Sequence, residues 1–106
     1  MAMVYISGPI SNAPDYLINF AGAKSRLLRC GYEVVNPAQM CLSLPSSFTH
    51  DQYMRICMAA LECCDTIYLL NGWQNSVGAK IEAEYALFNN YTMIEEGSKD
   101  DITLNP

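Results

Sequence analysis

Charge is scarce in this chain, and positive charge is scarcer still. Of 106 residues 16% are charged, six basic against eleven acidic, for a formal net charge of −5. A surface for polymeric nucleic acid needs clustered Lys and Arg; these six are scattered, so no such partner is expected. His50 is the single histidine, and the five cysteines lack C-x-x-C spacing, so no metal site is expected. Cys30, Cys41, Cys57, Cys63 and Cys64 are odd in number, which reads as reduced thiols of a cytoplasmic protein. The opening Met1-Ala2-Met3-Val4-Tyr5-Ile6 has no basic stretch and meets Gly8-Pro9 at once, unlike a signal peptide. No window nears the roughly 20 apolar residues of a membrane span, and no membrane partner is expected. Neither G-x-G-x-x-G nor G-x-x-x-x-G-K-[ST] occurs, and no cofactor is expected.

What is present suits one packed domain, since 51% of residues are hydrophobic. Val4-Tyr5-Ile6 is a short β-rich run ended by the turn signal Ser7-Gly8-Pro9. A helix is expected from Pro14 to Cys30, with Gly31 where a helix C-terminus wants it. Tyr32 to Val35 reads as a second strand, stopped by Asn36-Pro37 and followed by a loop through Ser47. Thr49-His50-Asp51-Gln52 has capping-box spacing and opens a helix to about Cys64. Thr66 to Leu70 is nearly all apolar, as in a strand buried on both faces. Ile81, Tyr85 and Phe88 mark a third helix ending near Asn89-Asn90, and Tyr91 to Ile94 a fourth strand. The domain is placed at residues 1–94, with an acidic, loose tail at 95–106.

Strands alternating with helices give an α/β fold with a small parallel sheet of about four strands and three helices. In such sheets a ligand sits beyond the carboxyl ends of the strands, where strand order reverses. That edge gathers Tyr5 to Ser11, Asn36-Pro37 and Asn71 to Gly78. Gly8 either lets a ligand approach the backbone or is a plain turn glycine. Ser76 is a plausible N-cap, and Gly78 leaves helix-start amides uncovered, a ready anion site or an ordinary capped helix. Glu82 lies early on that helix, where it is either an ionised nucleophile or a solvent-facing carboxylate, with Glu84 equally eligible. Tyr5 is either a working hydroxyl or core packing. Trp73 is either a lid stacking on a base or a subunit anchor, and His50 reads as a helix-start residue.

Five stretches recur together in one group of proteins. They are Val4 to Ile10, Gly31 to Pro37, Cys64 to Leu70, Gly72-Trp73, and Ser76-Val77-Gly78-Ala79-Lys80-Ile81-Glu82. On these the chain resembles small phage and prophage proteins, and through them the nucleoside 2-deoxyribosyltransferase superfamily, which includes the deoxynucleoside 5′-monophosphate N-glycosidases. The resemblance implies a Rossmann/flavodoxin-like three-layer fold acting as a homodimer or higher homo-oligomer on a small-molecule nucleoside or nucleotide. It implies that Glu82 attacks C1′ of the sugar, that Tyr5 positions it, and that Ser76 contacts phosphate. Ser7, Gly8, Pro9, Ser11, Trp73 and Gly78 join Ser76 as the expected substrate-binding set.

Two departures from the enzymes stand out. Cys57 occupies the place of an aspartate that assists the leaving base, and a neutral thiol substitutes for it poorly. Ser11 occupies the place of an arginine that holds the 5′-phosphate. The expected function is cleavage or transfer at the N-glycosidic bond of a (deoxy)nucleoside or its monophosphate. The alternative is a catalytically reduced nucleotide-binding protein, a sponge or regulator.

Overall fold

The computed structural model describes residues 2–104; the outermost ends of the expected domain and tail, at 1 and 105–106, lie outside the described residues. Four strands, β1 (Met3–Ser7), β2 (Glu33–Val35), β3 (Thr66–Leu69) and β4 (Thr92–Glu95), alternate with helices α1 (Tyr16–Arg29), α2 (Pro37–Met40), α3 (His50–Glu62) and α4 (Val77–Phe88). The strands form one parallel sheet in the order β2-β1-β3-β4, which is the expected α/β class.

Side-chain alternation along β1 and β3 divides the core in two. Val4, Ile6, Tyr68 and Leu70 join Phe20, Ala23 and Leu27 of α1 on one face. Tyr5, Ile67 and Leu69 meet Cys57 and Leu61 of α3 and Ala83 and Ala86 of α4 on the other. Every residue of β3 is buried, which is why its sequence shows no polar alternation. Three layers result.

Local signals set the helix ends. Gly31 takes a φ of +89° just past α1, a conformation that costs glycine least. The capping box forms before α3: the Gln52 amide donates to Thr49 Oγ1 (3.1 Å), and the Thr49 amide to Gln52 Oε1 (2.9 Å). The stretch after β2, expected as loop, holds the extra helix α2. Asn36 Oδ1 accepts from the Ala38 amide (3.1 Å), and Pro37 sits at the first helical position.

From β1 the chain crosses to β2 on one side and then returns to β3 on the other, so the loops after β1 and β3 diverge. Their bases are tightly packed. A Cβ on Gly8 would come 2.7 Å from Leu70 Cβ, so the glycine is needed for this close approach.

The tail expected to be loose is tied down as far as Leu104. Asp101 and Thr103 are buried against the α1 face. Asp101 accepts from the Tyr68 hydroxyl (2.8 Å), the Gly97 amide (2.8 Å), and the Thr103 amide (3.0 Å) and hydroxyl (2.6 Å). Arg26 of α1 pairs with Glu96 at 2.8 Å. Ala38 of the short α2 packs on this face beside α1, and the tail lies against the same face through Tyr68. No helix among the described residues is long and apolar enough to cross a membrane.

Candidate active site

A cavity of about 740 Å³ opens at the carboxyl end of β1. Its floor is Tyr5, Cys57 and Glu82, and its rim includes Ser11, Asn12, His50, Asn75 and Ser76. Leu44, Pro45 and Phe48, from the segment before α3, add an apolar wall.

Glu82 is the centre of the floor. It lies in the second turn of α4 on the buried side, whereas Glu84 faces outward and is exposed. Its carboxylate accepts from the Tyr5 hydroxyl through Oε2 and from the Ser7 hydroxyl (2.7 Å) through Oε1. Tyr5 and Ser7 are two apart on β1, so both side chains leave the same face of the sheet toward α4. Burial pushes the Glu82 carboxyl above the usual range, and the two hydroxyl donors pull it partly back. Dipole effects fade beyond the first turn, so these hydroxyls, rather than the helix start, are what hold the charge. Each carboxylate oxygen keeps a further lone pair for a partner in the cavity.

The groups around Glu82 hold their protons tightly. Burial, and then the Glu82 charge, drive Tyr5 far above its ordinary range, so it donates and does not ionise. Burial pushes the Cys57 thiol up to about 12; the Tyr5 hydroxyl pulls it partly back and the Glu82 charge adds to the rise, so it is neutral at physiological pH. Tyr53, also on the cavity wall, is raised by burial and by Cys57.

Several residues singled out in the sequence occupy other places than expected. Trp73 is not on this cavity: it lines a smaller one, about 270 Å³, and its indole donates to Glu95 (2.9 Å). Stacking on a base in the main cavity is therefore corrected to anchoring the end of β4. Ser7 is buried, with its hydroxyl spent on Glu82 rather than offered to a ligand. Ser76 Oγ accepts from the Ala79 amide (3.2 Å) and caps α4 while lining the rim. The space left by Gly78 is partly used by the protein itself, since a Cβ there would lie 3.1 Å from Met54 Sδ and 3.8 Å from His50 Nε2. Gly8, Pro9 and Ser11 do line the cavity. Asp51 is exposed near the start of α3 and does not reach the floor, while Cys57 does.

Sequence reasoning missed Ser7 as the second donor to Glu82, although period-two spacing from Tyr5 carries that signal. It also missed the wall of Leu44, Pro45 and Phe48, whose apolar side chains in a polar segment were the available clue. Among the described residues lining the cavity, Glu82 is the sole carboxylate, and there is no Lys or Arg. Among the described residues no three His, Cys, Asp or Glu side chains gather as a metal-ligand set. A buried anion, presented by two hydroxyls to an enclosed space, can act as a nucleophile or steady a developing cation.

The model of one family, described as "Domain of unknown function (DUF4406)", matches residues 2–94, which span the whole sheet except its last residue. No curated protein matches the chain.

Proposed function

The chain belongs to that domain family, and from this premise we propose that it cleaves or transfers the N-glycosidic bond of a (deoxy)nucleoside or nucleoside monophosphate. The observation that carries the reading is the Tyr5–Glu82–Ser7 cluster at the floor of a ligand-sized cavity. In this reading a Glu82 oxygen attacks C1′ as the bond to the base breaks, giving a glycosyl ester. Tyr5 and Ser7 fix the direction of the attacking lone pair. Water or a second base then takes the sugar and frees the carboxylate. Gly8, Pro9, Ser11, Ser76 and Gly78 shape the sugar end of the cavity.

The resemblance of the sequence to the nucleoside 2-deoxyribosyltransferase superfamily supports the same chemistry and a homodimer or higher homo-oligomer. Val77, Ile81 and Phe88 on α4 are 66%, 43% and 84% exposed, an apolar stripe that suits a subunit contact. Five free cysteines suit a cytoplasmic setting.

Chromatography of nucleosides and their monophosphates incubated with the chain tests the reading. Free base is expected from at least one substrate and none from Glu82→Gln; no release at high protein concentration and long times would remove it. The neutral Cys57 thiol favours a second reading, a nucleotide-binding protein without turnover. A ligand that stabilises the chain by RT ln(1 + [L]/Kd) and is recovered unchanged would select it.

A further inference from the structure

The charge pattern of the cavity narrows the substrate, on the premise that Glu82 is a glycosidic nucleophile. A neutral nucleobase leaves as an anion unless an acid protonates it, so cleavage at such a base needs a proton donor near the nucleophile. The titratable groups lining the cavity are Tyr5, Cys41, His50, Tyr53, Cys57 and Glu82. Glu82 must give up its proton to attack. Tyr5 is committed to Glu82, and both Tyr53 and Cys57 are shifted toward holding their protons. His50 is exposed on the rim, across from Gly78, one helical turn from Glu82 along α4. No second carboxyl stands beside the nucleophile among the described lining residues.

The same cavity is arranged for a cation. Its one lining carboxylate faces no lining Lys or Arg, and Tyr53 and Phe48 bring aromatic rings to the wall. A 5′-phosphate would find Asn12, His50 and Asn75 on the rim but no lining Lys or Arg, and the Ser76 hydroxyl already caps α4.

We propose that the site takes a phosphate-free nucleoside whose base carries a fixed positive charge, such as an N-alkylated purine or a pyridinium. The bond balance then needs no acid. Glu82 Oε bonds to C1′, the C1′–N pair of electrons returns to the cationic ring nitrogen, and the base departs neutral. Water then adds at C1′, the ester oxygen leaves as the Glu82 carboxylate, and one proton passes to solvent. A bound cation also offsets the burial that disfavours the ionised carboxylate, so the substrate helps to charge its own nucleophile.

The test is base release by the full chain and by Glu82→Gln from 7-methyl-2′-deoxyguanosine and nicotinamide riboside. Their neutral counterpart 2′-deoxyguanosine and the phosphorylated nicotinamide mononucleotide run in parallel. With no second carboxyl beside Glu82, kcat/KM for the cationic nucleosides is expected to exceed that for 2′-deoxyguanosine by about 100-fold or more. The monophosphate is expected to show a KM raised about 10-fold over the riboside, the cost of one unmet charged contact. Cys57→Asp is expected to raise release from 2′-deoxyguanosine by about 10-fold or more. Should that variant not fold, the wild-type comparison decides alone. Equal release from 2′-deoxyguanosine, or release from it that is lost in His50→Gln, overturns the inference and leaves the glycosidic reading standing. Release from neither class, with the chain folded, removes the glycosidic reading itself.

Discussion

Two buried carboxylates, each held by a strand tyrosine, sit on opposite faces of the same sheet and differ in everything else. Glu82 receives the hydroxyls of Tyr5 and Ser7 and opens on a cavity; Asp101 receives Tyr68, both donors of Thr103 and the Gly97 amide. Burial raises the Glu82 carboxyl, and its two donors do not undo the rise. Burial also acts to raise Asp101, but hydrogen bonds from Thr103, Gly97 and Tyr68 outweigh it, and the net shift is downward. A carboxylate saturated by its own chain locks structure. One left with spare lone pairs beside an open space is available for chemistry.

The contrast breaks most visibly in activity. On the proposed function, Glu82→Gln is expected to cut base release by about 10³-fold or more, the scale of losing a nucleophile. Asp101→Asn, assayed at equal folded concentration, should leave release within about 3-fold. Stability is expected to reverse the order. Replacing Asp101 weakens several bonds to a buried charge, a loss of about 2–3 kcal/mol, or roughly 10–20 °C in Tm by calorimetry. Glu82→Gln should melt no lower than the wild type at pH 7, because it removes a charge that burial disfavours.

Smaller effects sharpen the same division. Tyr5→Phe and Ser7→Ala each remove one donor to Glu82, so each is expected to lower kcat about 10-fold with KM nearly unchanged. Tyr68→Phe, the matching change on the other face, should leave kcat alone.

The pH dependence of stability separates the two groups by sign. Glu82 has a raised folded pKa, so its contribution is fully present below its unfolded value near 4.5. It is lost as pH climbs through the elevated folded value, and the melting gap between Glu82→Gln and wild type should widen over that range. Asp101 has a lowered folded pKa, so its contribution is present above 3.8 and lost as pH falls through the lower folded value. Thermal melts of the two variants against wild type, from pH 3 to 8, read both signs.

Much of this was legible in the sequence where the signal is local. Gly31, the Thr49–Gln52 box and the apolar run of β3 are written in neighbouring residues, so helix ends and strands fell close to where spacing puts them. Helix α2 was missed because Asn36-Pro37 reads equally as a strand stop and as an N-cap with proline at the first helical position; packing of Ala38 into the core decides it. The tail was misjudged because Asp101 finds Tyr68 33 positions away, and no composition rule carries that pairing. In the site, Glu82 and Tyr5 were singled out by position and resemblance, and contact between residues 77 apart needed the fold. Trp73 drew attention as an aromatic in a loop after a strand; its indole had a nearer partner in Glu95.

A covalent adduct on Glu82 is the sharpest consequence of assigning it as nucleophile. Intact mass after incubation with a 2-fluoro-arabinosyl nucleoside, whose glycosyl ester hydrolyses slowly, followed by peptide mapping, looks for it directly. One sugar per chain on the peptide bearing Glu82, absent in Glu82→Gln, is the expected result. An unmodified chain that nonetheless releases base, or an adduct on another residue, would contradict the assignment.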